Sequence, residues 1–395
     1  MTLLEQAQAI RHDIVGVRRD LHAHPELGFQ EVRTSGVVVA ALKELGYATV
    51  RTGVGKTGVV AELGPATGPT IGIRADMDAL PIQEETPHEF RSRNDGVMHA
   101  CGHDCHTSML LGAARLLKSE FDANGSSWRG RIRLLFQPCE EAFDENGISG
   151  ATAMIRDGAL DGLDEVIALH IISDLPSGTL QFCDGLAMAA VDSFDAVIGA
   201  DGGHGAYPHQ GTDPLFMLAT VLPNLYAIPS RKISPLQPCV VSLGEISGGS
   251  ASNVIPSRVK LQGTIRSLDE TVRETLWKEV ENCFRLVEPL GGRYEFTLHK
   301  GYPSLCNDAD VNSRLKSVAS EMVPGDRIVE EPFGMGAEDF AYMARESPGA
   351  MFFLGAKVPG GGSHHTPIFD IDEDVLPLGS AMLAETARRF VCQPS

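Results

Sequence analysis

Residues 98–106 read MHACGHDCH, which sets two thiols, three imidazoles and a carboxylate within nine positions. Cysteine and histidine are the ligands that zinc and similar divalent ions prefer, and Gly102 lets the backbone turn so that Cys101 and His103 can face one centre. Taken singly, a histidine is more often a hydrogen-bonded structural residue, and at least two in this cluster are expected to be that. A second cluster, FQPCEE over 136–141, closes an apolar run with the neighbouring carboxylates Glu140 and Glu141. Adjacent residues point in different directions, so one can bind metal while the other reaches a water. RADMDALP carries Asp76 and Asp78, VIALH ends in His170, and MFFLGA leads through a glycine loop to His364 and His365. Separate strand ends that deliver such groups to one rim are most economically explained by a shared metal centre.

The elements that must hold these groups are legible from periodicity. Helical spacing runs over about 3–22 and again over 35–45, where Gly46 stops it. The short β-branched segments 58–63 and 70–74 are bounded by Gly and Pro, as strands are. A helix over 107–117 is followed by a strand over 131–136, and a strand over 165–169 by a Pro/Gly loop. This alternation predicts an α/β fold with a mixed sheet flanked by helices. From about Val191 the pattern changes to strands interleaved with two helices, near 214–226 and 270–287, which suits a small α+β sandwich. The α/β character returns after Lys300 and ends in a helix over 373–390. The expected organisation is a discontinuous catalytic domain, 1–189 and 301–395, with an inserted satellite domain at 190–300.

Composition narrows the partners. The 395 residues are 43% hydrophobic and 22% charged, an ordinary globular balance on a chain long enough for two domains. A formal net charge of -19 argues against a nucleic-acid partner, because phosphate binding needs clustered Lys and Arg. The opening residues, MTLLEQAQAIRHD, contain acidic and polar positions and no long apolar run, so neither a signal peptide nor a membrane span is expected, and a cytoplasmic location is. The eight cysteines are scattered without the spacing of a disulfide scaffold. GVGKTG at 53–58 ends like a phosphate-binding loop, but Val50 stands where that motif needs a glycine.

In chain order, LHAHPELGFQE, RADMDALP, MHACGHD, FQPCEE, a strand ending in LH, GGHGAYPH, SNVIP with GTIR, GAEDF and HHTPIF together span nearly the whole chain. In this order they resemble the M20 metallopeptidase family, and more narrowly its amidohydrolase branch of hippurate hydrolases, N-acyl-amino-acid deacetylases and auxin-conjugate hydrolases. The resemblance implies two divalent metal ions held by Cys101, His103, Glu141, His170 and one histidine of the last motif. The family pattern places that histidine before a small polar residue and Pro, which selects His365 over His364. Cys101 falls on the bridging ligand and Glu140 on the general base. Asp76 and Asp78 are supporting residues. One departure stands out: Ala142 leads into FDENGISGA, an apparently longer loop near the site, and this bears on substrate shape more than on mechanism.

The activity so implied is hydrolysis of the amide bond of a small N-acyl amino acid by a metal-activated water, with Glu140 moving the proton. His204 is the candidate oxyanion donor, and in the family the equivalent residue reaches a partner subunit's site, so a homodimer or higher homo-oligomer is expected. Asn253 and Arg266 match substrate-orienting positions, Arg being suited to a carboxylate. The metal is expected to be Zn2+ or Mn2+, with Co2+ or Ni2+ tolerated by mixed N, O and S ligands. A dipeptidase or carboxypeptidase is the nearest alternative. A binding protein without catalysis is disfavoured by the presence of Glu140 with every matching ligand, and a thiol redox protein by the lack of a Cys-x-x-Cys pair.

Overall fold

A computed structural model describes residues 1–392 of the chain. It divides into two compact units. The larger takes Met1–Gly185, Cys306–Pro332 and the chain from Tyr342 onward, and the smaller takes Leu186–Leu305 with Phe333–Ala341. The late segment is held in the smaller unit by backbone bonds, with Phe333 N donating to Ala187 O and Ala189 N to Gly336 O.

The larger unit is built on an eight-stranded mixed sheet flanked by helices. Its middle consists of four parallel neighbours: Arg131–Gln137, Thr70–Asp76, Glu165–Pro176 and Gly349–Lys357. Thr70–Asp76 is buried along its whole length, as a strand covered on both faces must be. Thr49–Val54 and Gly58–Leu63 extend one side antiparallel, and Leu180–Phe182 with Ile328–Glu330 extend the other. Against this sheet lies the helix His103–Asn124, whose first four turns are buried all round apart from Arg115. Its company includes Arg11–His22 and Leu376–Cys392.

Three differences from the periodicity have plain causes. The expected helix over 107–117 begins earlier, at His103, because Gly102 caps it at φ +91. A side chain at Gly102 would also stand 2.4 Å from Ile171 Cγ2, so only glycine fits there. The strand expected to stop at Leu169 continues to Pro176, paired with the Gly349–Lys357 strand, so His170 lies within a strand opposite Phe353. The first helix breaks at Ile10 into Leu3–Ala9 and Arg11–His22.

The smaller unit is an antiparallel four-stranded sheet in the order Cys239–Ser247, Arg258–Ser267, Ala190–Gly199, Arg293–Lys300. Burial alternates along its central strands, and the inward residues Phe194, Ala196, Ile198, Val259, Leu261 and Ile265 pack with the helices Pro214–Arg231 and Glu270–Arg285. The first helix continues through Pro223 and Pro229, because its apolar face, including Met217, Val221, Leu225 and Ile228, is fully engaged. Asp192 fastens the second helix to the sheet. It accepts from Arg273 at 2.7 and 2.9 Å, Trp277 Nε1 at 2.6 Å and Gly301 N at 3.0 Å. Among the described residues, no helix is long and apolar enough to cross a membrane.

Candidate metal centre

Parallel strands put their carboxyl ends on one edge of a sheet, and that edge is where loops can collect polar groups. Here Thr70–Asp76 hands on Asp78, Arg131–Gln137 hands on Glu140 and Glu141, and the segment after Gly349–Lys357 carries His364 and His365. His170 projects from its strand, and Cys101 and His103 flank the capping Gly102.

The histidines separate by which ring nitrogen still has a lone pair. His103 Nδ1 lies 3.2 Å from Asp78 Oδ1, an acceptor only, so this nitrogen carries the hydrogen. Its Nε2 is buried with no hydrogen-bond partner. His170 Nδ1 donates to Ile171 O at 2.7 Å, which leaves the Nε2 lone pair facing the Cys101 thiol, with Sγ at 3.6 Å. By contrast, His106 Nε2 accepts from Ile171 N at 2.9 Å while Nδ1 faces Asp76 at 2.6 Å. His364 Nε2 accepts from Ser173 N at 3.2 Å. Hydrogen bonds of this kind fix the tautomer of an imidazole: His103 and His170 keep an Nε2 lone pair toward the cluster, whereas the lone pairs of His106 Nε2 and His364 Nε2 are taken by backbone amides. His365, at φ +60 and half exposed, brings Nε2 to 3.1 Å from Glu141 Oε1. That oxygen has no aligned hydrogen bond, as befits two donor atoms aimed at a common point. His99 is buried with neither nitrogen bonded, burial pushing its pKa down to about 4, and it joins none of the ligand groups found among the described residues.

Carboxylates set the field. Asp78 Oδ1 also accepts from Glu140 N, and Oδ2 from Glu141 N, both at 3.0 Å. Asp76 is occupied by Arg74 at 2.7 Å and His106, and its carbonyl takes the Thr107 hydroxyl. Burial opposes a charge on His103, yet Asp76, Asp78 and Glu141 around it raise its pKa to about 10. The Cys101 thiol is pushed well up, by burial first and then by Glu141 and Glu140. An imidazole surrounded by anions and a thiol held protonated describe a pocket short of positive charge, which a bound cation would supply. Behind it, Asp104 is kept ionised against its burial by Arg18 at 2.9 Å and His22 at 2.8 Å.

Two groups of ligand atoms, each within 4.8 Å of one another, share the Cys101 thiol: Cys101 with His103 and His170, and Cys101 with Glu141 and His365. Glu140 Oε2 lies 3.9 Å from His103 Nε2. These N, O and S donors fit divalent metal binding.

The other three residues singled out in the sequence belong to the smaller unit. His204 and Asn253 come together there, His204 pairing with Val254 across a two-stranded ribbon and Gly205 N donating to Asn253 O at 2.8 Å. Both side chains are exposed. Arg266 stands on the separate four-stranded sheet, half-buried, its pKa lowered by burial. Sequence reasoning assigned no role to Arg74, His106 or Glu31, the last being the final residue of LHAHPELGFQE; its motif was visible, but its partners are far away in the chain.

The model of Peptidase family M20/M25/M40 matches residues 72–389. The chain is 39% identical over 400 residues to an N-acetyl-L-cysteine deacetylase of Bacillus subtilis (strain 168), covering 99% of this chain and 92% of that one. It is 39% identical over 397 residues to thermostable carboxypeptidase 1 of Saccharolobus solfataricus, covering 98% of each. Among solved structures it is similar to a dinuclear metal binding peptidase of the M20 family from Bacillus subtilis. The TM-score is 0.83 and the identity 32%, over 97% of this chain and 99% of that one.

Proposed function

The chain belongs to Peptidase family M20/M25/M40 and is a metal-dependent amidohydrolase, and from that premise we propose that it hydrolyses N-acyl amino acids of the hippurate or N-acetyl kind. One observation carries the reading: ligand atoms of His103, His170 and Glu141 converge with those of Cys101 and His365, with Glu140 beside them.

In this reading Cys101, His103, Glu141, His170 and His365 would hold two divalent ions, and zinc or manganese is the expected metal. Bound there, the ions would supply Lewis acidity, polarising the amide carbonyl and permitting attack by water near neutral pH. Glu140 takes the proton of the attacking water and delivers it to the leaving nitrogen. Asp78 holds the amides of Glu140 and Glu141 and the His103 ring, so base and ligand keep a fixed spacing. Arg266 and Asn253 orient the substrate, Arg266 through its carboxylate, and His204 donates to the oxyanion of a second copy's site in a homodimer.

The carboxypeptidase relative keeps a second reading open, in which the acyl side of the bond is itself an amino acid. A panel of hippurate, N-acetyl amino acids and free dipeptides, run with zinc- and manganese-loaded enzyme, separates the two. Faster hydrolysis of dipeptides than of any N-acyl amino acid would replace the proposal with the alternative.

A further inference from the structure

We propose that Glu31 is a positioning residue for the Glu140 and Glu141 pair: it fixes the turn at Cys139 from which both carboxylates project. The inference rests on the base and ligand roles proposed above for those two residues.

Glu31 is fully buried, and among the described residues no cation pairs with it. Burial, with Asp78 nearby, pushes its pKa up to about 7. A carboxyl group is costly to place there, so what it accepts matters. Its Oε1 takes Cys139 N at 2.8 Å and Phe29 N at 3.0 Å, and its Oε2 takes the Thr57 hydroxyl at 2.5 Å. One side chain therefore joins the 28–31 segment, the turn before Gly58–Leu63 and the loop that bears the base.

That loop needs holding. Cys139 sits at φ +47, a conformation that non-glycine residues rarely adopt. With Asp78 on the next two amides, the N–H groups of Cys139, Glu140 and Glu141 all end on buried carboxylates. The Cys139 carbonyl accepts from Gly150 N at 2.8 Å, which clamps the turn from the other side. The 28–31 segment also lies against the turn: a Cβ on Gly28 would stand 2.6 Å from Cys139 Sγ and 3.2 Å from its Cα. Since Oε1 alone receives both amides, the role survives protonation of Oε2, which can then donate to Thr57. A glutamine reproduces that arrangement.

The test compares Glu31→Gln with Glu31→Met, of similar length but without a strong acceptor. Hydrogen exchange over 138–142 and zinc titration of the metal-free protein are read alongside kcat and KM. Glu31→Met is expected to speed exchange in that segment, weaken zinc binding and lower kcat by roughly 10- to 100-fold, as loss of an outer-shell partner does, with KM little changed. Glu31→Gln keeps most of each. Should Glu31→Met not fold, Glu31→Asp, which withdraws the acceptor by one methylene, takes its place. Gly28→Ala presses on the same turn and lowers kcat, and adding Cys139→Gly, which removes the sulfur and accepts positive φ, restores it. Unchanged exchange over 138–142 in the loss variants, equal losses in the Gln and Met variants, or no restoration by Cys139→Gly overturns the proposal. Because exchange and zinc binding are read without turnover, failure of the proposed activity leaves this test intact.

Discussion

In the larger unit His103 and His170 are buried, each with Nδ1 committed to a carboxylate or carbonyl, while Nε2 is unpartnered in His103 and faces the Cys101 thiol in His170. In the smaller unit His204 is exposed on a two-residue strand, and its Nδ1 accepts only the nearby Ala206 amide at 3.1 Å. The first arrangement turns donor atoms toward a common centre. The second has no fixed polar target in its own unit, and in the proposed reading its target is the oxyanion in a second copy's site. Preorganisation is thus unevenly distributed: His103, His170 and the Glu140–Glu141 turn are held by buried hydrogen bonds, His204 and Asn253 by far less.

The severest test of this contrast is the base. Glu140→Gln is expected to keep metal and fold while kcat drops by roughly 10²- to 10⁴-fold, the usual cost of losing a general base. Near wild-type turnover would remove Glu140 from the chemistry and with it the claim that the base sits in the buried centre. The thiols come next. Cys101→Ala should lose metal and activity together, by more than the roughly 10- to 100-fold typical of outer-shell residues, whereas Cys105→Ala, one turn into a buried helix, should change neither. Equal metal content in the two variants, measured by elemental analysis, would refute the assignment.

His204 tests the exposed side. Neither His204→Ala nor Glu140→Gln is active alone in this reading. Co-refolded in equal amounts, half of the dimers are mixed and each has one intact site, so about a quarter of wild-type activity should return. No recovery despite demonstrated subunit exchange would confine His204 to its own chain. The smallest effect on catalysis is expected from Asp192→Ala, which takes from the buried Arg273 guanidinium its nearest carboxylate and leaves it Glu270 at 3.3 Å and the Gly301 carbonyl. It should destabilise the smaller unit by about 3–5 kcal/mol, read in thermal unfolding, while zinc binding by the larger unit is unaltered. A simultaneous loss of zinc affinity would show that the units are not independent in this respect.

What the sequence made legible follows the range of the interactions. Alternating strands and helices identified the α/β character because burial imposes its period locally, and the density of Cys and His at 98–106 marked that segment as a candidate metal site. Which histidines keep a bare nitrogen was beyond sequence, because it depends on partners such as Ile171, Ser173 and Asp78 that only the folded sheet edge brings near. Glu31 escaped for the same reason, its amide partner lying 108 positions away. Thr49–Val54 and the short strands Leu180–Phe182 and Ile328–Glu330 were missed because their pairing, more than their pattern, defines them.

The place of the Gly349–Lys357 strand has a consequence for biosynthesis. It is the last strand in the chain, yet it lies inside the sheet, between Glu165–Pro176 and Leu180–Phe182. A nascent chain folds from its N-terminus as it emerges, so the Glu165–Pro176 edge stays unpaired while the whole smaller unit is translated. His365, a ligand in the proposed reading, follows that strand and is therefore synthesised after the smaller unit. An open sheet edge is the hazard that a chaperone would have to cover in the interval.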